Sequence, residues 1–138
     1  MTVTGDGMAL AEAMVRGVGS GEMRAATRLL GAHRDGYWLR RFAEEDGIPP
    51  GGPPLIDRTG THASVDWTAV GLRLFDVPRS LTASTSELAV LECATSLVGR
   101  CGVTLRQVLR AVDDNEFRLI TRAMTEAAYG ERALDLFL

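Results

Sequence analysis

The side chains that most readily carry out chemistry, the histidines and cysteines, are scattered along this sequence. Four of them stand singly: His33, His62, Cys93 and Cys101. Structural zinc sites use pairs of ligands a few residues apart, and this spacing provides no such pair. His62 has Asp57 and Asp66 near it in sequence, which is too little to define a hydrolytic site. We therefore predict no metal, no cofactor and no catalytic residue, and an enzyme built around His62 is the weakest of three functional hypotheses.

An arginine-rich stretch, residues 16–41, is the first candidate binding surface, and we call it the arginine arm. All 15 basic residues of the chain are arginine, and six of them fall in this stretch against only Glu22 and Asp35. Arginine beside aromatic rings contacts acidic proteins or nucleic acid, whereas the alternative is a solvated helix face. The partner-binding residues that we predict here are Arg34, Tyr37, Trp38 and Arg41.

The last residues of the chain, the apolar tail (131–138), are the second candidate surface. An apolar terminus either covers its own domain or binds a partner. The segment LDLF at 134–137 resembles the short peptide through which many replication and repair proteins bind the bacterial sliding clamp. That motif begins with glutamine where this chain has Ala133, and the resemblance implies the clamp as one partner. The partner-binding residues that we predict here are Leu134, Leu136 and Phe137.

Two helices predicted within 104–128 are the third candidate surface. A tight turn joins them, as in a helix-turn-helix that reads DNA. The arginines that would contact nucleic acid are Arg106, Arg110, Arg118 and Arg122. The acidic turn beginning at Asp113 opposes the approach of phosphates, so DNA binding is the alternative hypothesis and is not favoured. The helical spacing of the apolar residues predicts that they pack into the core: Leu105, Val108, Leu109, Val112, Phe117, Ile120, Met124 and Ala127.

The elements that position these residues are predicted to be helical. Helix starts are expected at six capping residues: Asp6, Ser20, Asp66, Ser84, Thr104 and Asp113. Ser84 and Glu87 together have the form of a capping box. The helix at 85–98 is apolar around most of its circumference, which is typical of a central, buried helix. We expect this helix to be packed by its neighbours at 67–75, 105–112 and 115–129.

Punctuation by glycine and proline divides the chain. Gly31 and Gly36 predict a kink or a break in the second helix, which resumes at Trp38, and Gly60 is expected to supply a positive φ in a hairpin turn. The division that we predict is an N-terminal helical arm at 1–46, a proline- and glycine-rich loop at 47–54, a helical body at 55–130 and the tail at 131–138. The fold class is mainly α: five or six helices with at most one short β-hairpin near 55–65.

Composition bounds the remaining choices. The chain has 138 residues, a net charge of −3 and 24% charged residues, which fits one ordinary globular domain. The sequence lacks a run of about 20 apolar residues of the kind that spans a membrane. Two cysteines imply no disulfide framework, so we expect reduced thiols in a bacterial cytoplasm. The leading hypothesis is a small non-enzymatic adaptor or regulator that binds another protein, and homo-oligomers remain open.

Overall fold

The computed structural model describes residues 6–44, 53–76 and 81–137, and the side chains of 76, 136 and 137 lie outside that description. Seven α-helices and a two-stranded sheet occupy these ranges: α1 (Asp6–Val15), α2 (Gly21–Ala32), α3 (Tyr37–Glu44), β1 (Ile56–Asp57), β2 (Ser64–Val65), α4 (Trp67–Asp76), α5 (Thr85–Leu97), α6 (Leu105–Ala111) and α7 (Asp114–Tyr129). The expected fold class, mainly α with one short hairpin, is confirmed. Most of the predicted proline- and glycine-rich loop lies outside the described residues.

Local capping explains where most helices begin. The Ser20 hydroxyl accepts from the amide of Met23 at the start of α2, and the Asp66 carboxylate accepts from the amide of Ala69 in α4. Capping boxes begin α5 at Ser84 and α7 at Asp113. Each box pairs two backbone amides that a helix would otherwise leave unsatisfied, and these four predicted caps are confirmed. The other two predictions were wrong: Thr104 precedes α6 without a side-chain hydrogen bond to it, and Asp6 is the first residue of α1 rather than a residue before it.

The predicted β-hairpin forms, but its turn differs from the expectation. Ile56 pairs with Val65 and Asp57 with Ser64 in an antiparallel register. Gly60 is not among the residues with positive φ in the described ranges, so that prediction was wrong. The connection spans residues 58–63 and is therefore longer than the two-residue turns that require left-handed glycine.

The kink or break that was predicted in the second helix is a sharp corner at residues 33–36, directly after α2. His33–Asp35 form a 3₁₀ turn, after which α3 begins. Arg34, Asp35 and Gly36 have φ of 48°, 55° and 77°, a left-handed conformation that is unusual for the two residues that are not glycine. The Asp35 carboxylate accepts from the amide of Gly7 at 2.9 Å, so the corner is held against the start of α1.

The helix α2 contacts four other helices of the described chain, α1, α3, α5 and α7. The predicted central helix, α5, contacts α2, α4, α6 and α7, so the expected neighbours are confirmed but α5 shares the centre with α2. One apolar cluster contains residues of both helices together with α3 and α7, including Leu30, Trp38, Leu91 and Ile120. The described part of the predicted N-terminal helical arm, residues 6–44, therefore contributes directly to the core.

The expectation that the apolar faces of α6 and α7 pack into the core was wrong for four of the eight residues named. Val108 and Ile120 are buried. Four others are substantially exposed: Leu105 (68%), Leu109 (58%), Phe117 (44%) and Met124 (50%). Helical periodicity identifies an apolar stripe, but the same stripe arises on a surface that binds a partner. Within the described ranges, none of the helices is long and apolar enough to cross a bilayer.

Candidate functional site

The arginines of α2 lie inside a network of ion pairs. Arg28 contacts three carboxylates, those of Glu12 in α1, Glu126 in α7 and Glu131 after α7. Glu126 is buried, and the hydrogen bond to Glu12 together with the other carboxylates raises the pKa of Arg28 above its ordinary value. Arg24 pairs with Glu131 at 2.7 Å. It also donates to the carbonyl of Val15, the last residue of α1, and to that of Val18 just beyond it. These two arginines therefore hold helices together.

The partner-binding residues predicted in the arginine arm also have contacts within the chain. Arg34 pairs with Glu87 at 2.6 Å, and Arg41 donates to the carbonyl of Thr82 at 2.8 Å. The Arg41 guanidinium lies 5.0 Å from the centroid of the Trp38 ring. Trp38 is fully buried and donates through Nε1 to the carbonyl of Glu87. The Trp38 ring lies in the core and is therefore not accessible to a partner.

Tyr37 completes this group from the edge of the core. Its ring meets that of Trp38 edge-on, with centroids 5.1 Å apart, and its hydroxyl accepts from Arg41 at 3.2 Å. The ring is half-buried and packs against the apolar cluster. The predicted residues of the arm are therefore brought together, but mainly by contacts with one another and with α5.

The apolar tail is not extended in its described part. Glu131–Phe137 form a 3₁₀ segment that contacts α7. Glu131 is tied to α2 by Arg24 and Arg28, and hydrogen bonds from these arginines lower the pKa of Glu131. Leu134 is half-buried and lines a cavity of about 30 Å³ with Met8 and Leu29. The side chains of Leu136 and Phe137 lie outside the described residues.

A buried histidine anchors the turn between α6 and α7. His33 and Glu116 are both buried, with Nε2 and Oε2 2.8 Å apart. Because the other carboxylate oxygen accepts from the amide of Asp113 at 3.0 Å, Glu116 joins the corner after α2 to the capping box of α7. Nδ1 of His33 has no hydrogen-bond partner among the described residues. Sequence reasoning missed this pair, because its members are 83 residues apart.

The surface of the α6–α7 hairpin (105–129) differs from the arm. The hairpin carries four exposed arginines: Arg106, Arg110, Arg118 and Arg122. Their guanidinium groups form no hydrogen bond or ion pair with any described residue. The same two helices carry the exposed apolar residues described above. The arginines predicted for nucleic acid are therefore accessible, and exposed leucine, phenylalanine and methionine accompany them.

The remaining sequence candidates are Asp57, His62, Asp66 and the two cysteines, of which Asp57 and His62 line one open groove of about 500 Å³. Asp57 accepts from the amide and the hydroxyl of Thr59, and Asp66 caps α4, so neither carboxylate hydrogen-bonds the exposed His62. Burial raises the pKa of Cys93 to about 11, which keeps this thiol protonated and unreactive at neutral pH. Both cysteines are free. In the described ranges no group of three or more His, Cys, Asp or Glu side chains is placed to hold a metal ion.

Open grooves lie on either side of Glu92 in α5. One, of about 530 Å³, lies between α4 and the loop after α5, and its lining includes Leu72 and Phe75. The other, of about 510 Å³, lies between α5 and α6, and its lining includes Leu88 and Val108. Burial raises the pKa of Glu92. Polar groups line both grooves beside the apolar ones: Arg100 and Cys101 in the first, and Thr104 and Arg110 in the second.

Comparison with known proteins identifies no relative: the chain matches no protein-family model, no curated protein and no solved structure.

Proposed function

We propose that this chain is a non-enzymatic protein-binding module, an adaptor or regulator, whose contact surface is the α6–α7 hairpin. The observation that carries the proposal is the exposure of Leu105, Leu109, Phe117 and Met124 on two consecutive helices. Leu105 and Leu109 lie four residues apart on one side of α6, and a contiguous exposed apolar row of this kind marks a site of protein interaction. The hairpin is also held in place, because Glu116 fixes its turn to His33.

The arginine arm and the apolar tail are weaker contact surfaces for the same function. The arm's predicted residues have partners within the chain, and Trp38 is buried. The tail is tied to α2 through Glu131. Binding through the tail, including binding to a sliding clamp, remains a prediction: Phe137→Ala should abolish partner capture without changing the melting temperature, whereas a lower melting temperature would mean that Phe137 packs on its own domain.

Affinity capture from bacterial lysate tests the hairpin directly. Three baits are compared: the unchanged chain, the double variant Leu105→Ser/Leu109→Ser, and Leu72→Ser as a control on α4. Leu72 is 49% exposed, so the control removes a similar apolar surface outside the hairpin. We expect a protein that is captured by the first and third baits and lost from the double variant. Capture of the same proteins by all three baits would reject the hairpin as the contact surface.

DNA binding is the second candidate, and the four accessible arginines on two consecutive helices favour it. It requires an affinity for duplex DNA that falls steeply with salt and is lost with Arg118→Ala or Arg122→Ala. Fluorescence anisotropy with labelled duplex measures both. No binding at low salt would remove this candidate. The exposed Asp114 at the start of α7 and the exposed apolar residues make it the weaker one, because neither contacts phosphate favourably.

A further inference from the structure

We propose that the occupant of the α6–α7 hairpin is an acidic amphipathic helix supplied by another protein. This inference rests on the proposed protein-binding function and adds the chemistry of the partner. It is carried by two features of the same surface: accessible arginines without partners in the described structure, and apolar side chains exposed beside them.

Helical geometry places these two kinds of side chain in adjacent rows. In α6, Leu105 and Leu109 are four residues apart and so lie on one side of the helix. Arg106 and Arg110 follow each leucine by one residue, which rotates them by about 100° around the axis. An apolar row therefore runs beside a basic row along α6.

The same arrangement recurs in α7. Phe117 and Met124 are seven residues apart, two turns along the same side of the helix. Arg118 and Arg122 form the adjacent basic row. A helix with apolar residues at i, i+4 and i+7 has the spacing to contact such apolar rows, and carboxylates on its flanks would reach the guanidinium groups.

The charge of the hairpin determines which kind of partner fits it. Elsewhere in the described chain, Arg24, Arg28, Arg34 and Arg40 each pair with a carboxylate, whereas the four hairpin arginines do not. The exposed carboxylates of the hairpin are Asp113 and Asp114 at its turn, so a second copy would offer only these two to the four arginines, together with the same set of arginines. Guanidinium groups bind carboxylates in a planar, bidentate way. An acidic partner can therefore pair with all four arginines, whereas a second copy cannot.

DNA would satisfy the arginines but not the apolar rows. Leu105 and Leu109 are more than half exposed, and contact with a phosphate backbone gives such side chains no favourable burial. Asp114 lies at the start of α7, where the reading helix of a helix-turn-helix approaches the groove. A partner that is both acidic and apolar fits the adjacent basic and apolar rows of each helix.

Selection from displayed random peptides of about 16 residues, a little over four helical turns, tests the proposal with the full chain as target. The expected binders are rich in Asp and Glu, with apolar residues at helical spacing. Selected peptides are then synthesised, and their affinity is measured by titration at low and high salt. We expect affinity to fall as salt rises, because the contacting charges are exposed.

A pair of charge-matched variants locates the binding. Arg106→Glu/Arg118→Glu alters the hairpin, and Arg16→Glu/Arg132→Glu makes the same change in net charge at exposed arginines elsewhere. The acidic peptides should bind the hairpin variant about tenfold more weakly and the control unchanged. Circular dichroism confirms that both variants fold.

The outcomes separate this inference from the function on which it rests. Binders that depend on Leu105 and Leu109 but are neutral or basic would overturn the acidic partner and leave the hairpin as a binding surface. Binders unaffected by every hairpin variant would overturn both. A chain that selects no peptide but binds duplex DNA through Arg118 would replace both with the DNA-binding alternative.

Discussion

The arginines of α2 and those of the α6–α7 hairpin have the same side chain in two different settings. Arg28 in α2 is 13% exposed and contacts the buried Glu126. Arg118 in α7 is exposed, and no described residue pairs with its guanidinium. The difference comes from the faces of the helices: Arg28 lies on the side of α2 that meets α1 and α7, whereas Arg118 lies on the solvent-facing side of α7, a helix that itself packs against α2 and α5.

This contrast teaches that arginine-rich sequence does not by itself indicate a binding surface. The arginine arm has the higher density of positive charge in the sequence, yet its arginines mostly connect elements of the fold. The hairpin arginines are fewer and more widely spaced, and they remain available. Substitutions in the arginine arm should therefore destabilise the fold more than substitutions in the hairpin, and the largest difference is expected at the aromatic residues.

Aromatic residues give the sharpest test of the contrast. Trp38→Ala should lower the free energy of unfolding by about 4 kcal/mol, because it leaves a large cavity in the core and removes the hydrogen bond to Glu87. Phe117→Ala should cost about 1 kcal/mol or less, because the ring is already 44% exposed. Urea denaturation measures both. Similar costs for the two variants would mean that the arm and the hairpin are equally buried.

Arginine itself gives the second test. Arg28→Gln should destabilise the fold by about 3 kcal/mol, since it leaves the buried Glu126 carboxylate without its partner. Arg118→Gln should change stability by no more than about 0.5 kcal/mol, as is usual for exposed sites. Equal losses in urea denaturation would contradict the division into structural and available arginines.

Glycine tests the packing of the two regions. A Cβ added at Gly7 would overlap the backbone of Asp35 and Gly31, so Gly7→Ala should cost about 2 kcal/mol through overpacking. A Cβ at Gly102, which precedes the hairpin, meets nothing within 4 Å. Gly102→Ala should therefore be close to neutral. Thermal melts of both variants compare them, and a neutral Gly7→Ala would show that α1 can move away from the corner.

Acid should affect the two regions differently. The hydrogen bonds from Arg24 and Arg28 hold the pKa of Glu131 below its ordinary value, so the folded state binds fewer protons there than the unfolded state. The resulting stability is complete above the unfolded pKa of about 4.3 and is lost as pH falls through the folded value. The difference in melting temperature between the unchanged chain and Glu131→Gln should shrink with acid. Arg118→Gln should show no such dependence.

Much of the fold was predictable because its signals are local. The caps at Ser20, Ser84 and Asp113 each involve a hydrogen bond across three residues, and such bonds depend on the neighbouring sequence alone. The central position of α2 was missed, because Arg24 and Arg28 in its sequence suggest an exposed face. Their partners Glu126 and Glu131 are about a hundred residues away.

The candidate site was predictable in its residue types but not in its exposure. The sequence identified the four hairpin arginines and the apolar stripes, and it assigned the stripes to the core. Whether Leu105 and Leu109 are covered depends on the neighbours that reach α6, and these are set by the packing of the whole chain. Periodicity carries no information about that packing.

The network around Arg28 also has a mechanical consequence. Glu12 belongs to the first helix and Glu131 to the last helical segment, and one guanidinium contacts both. The path of the chain is therefore closed into a ring by two ion pairs on one side chain. A force that separates the two ends would load these ion pairs together with the packing of α1, whose Ala11 and Met14 belong to the apolar cluster.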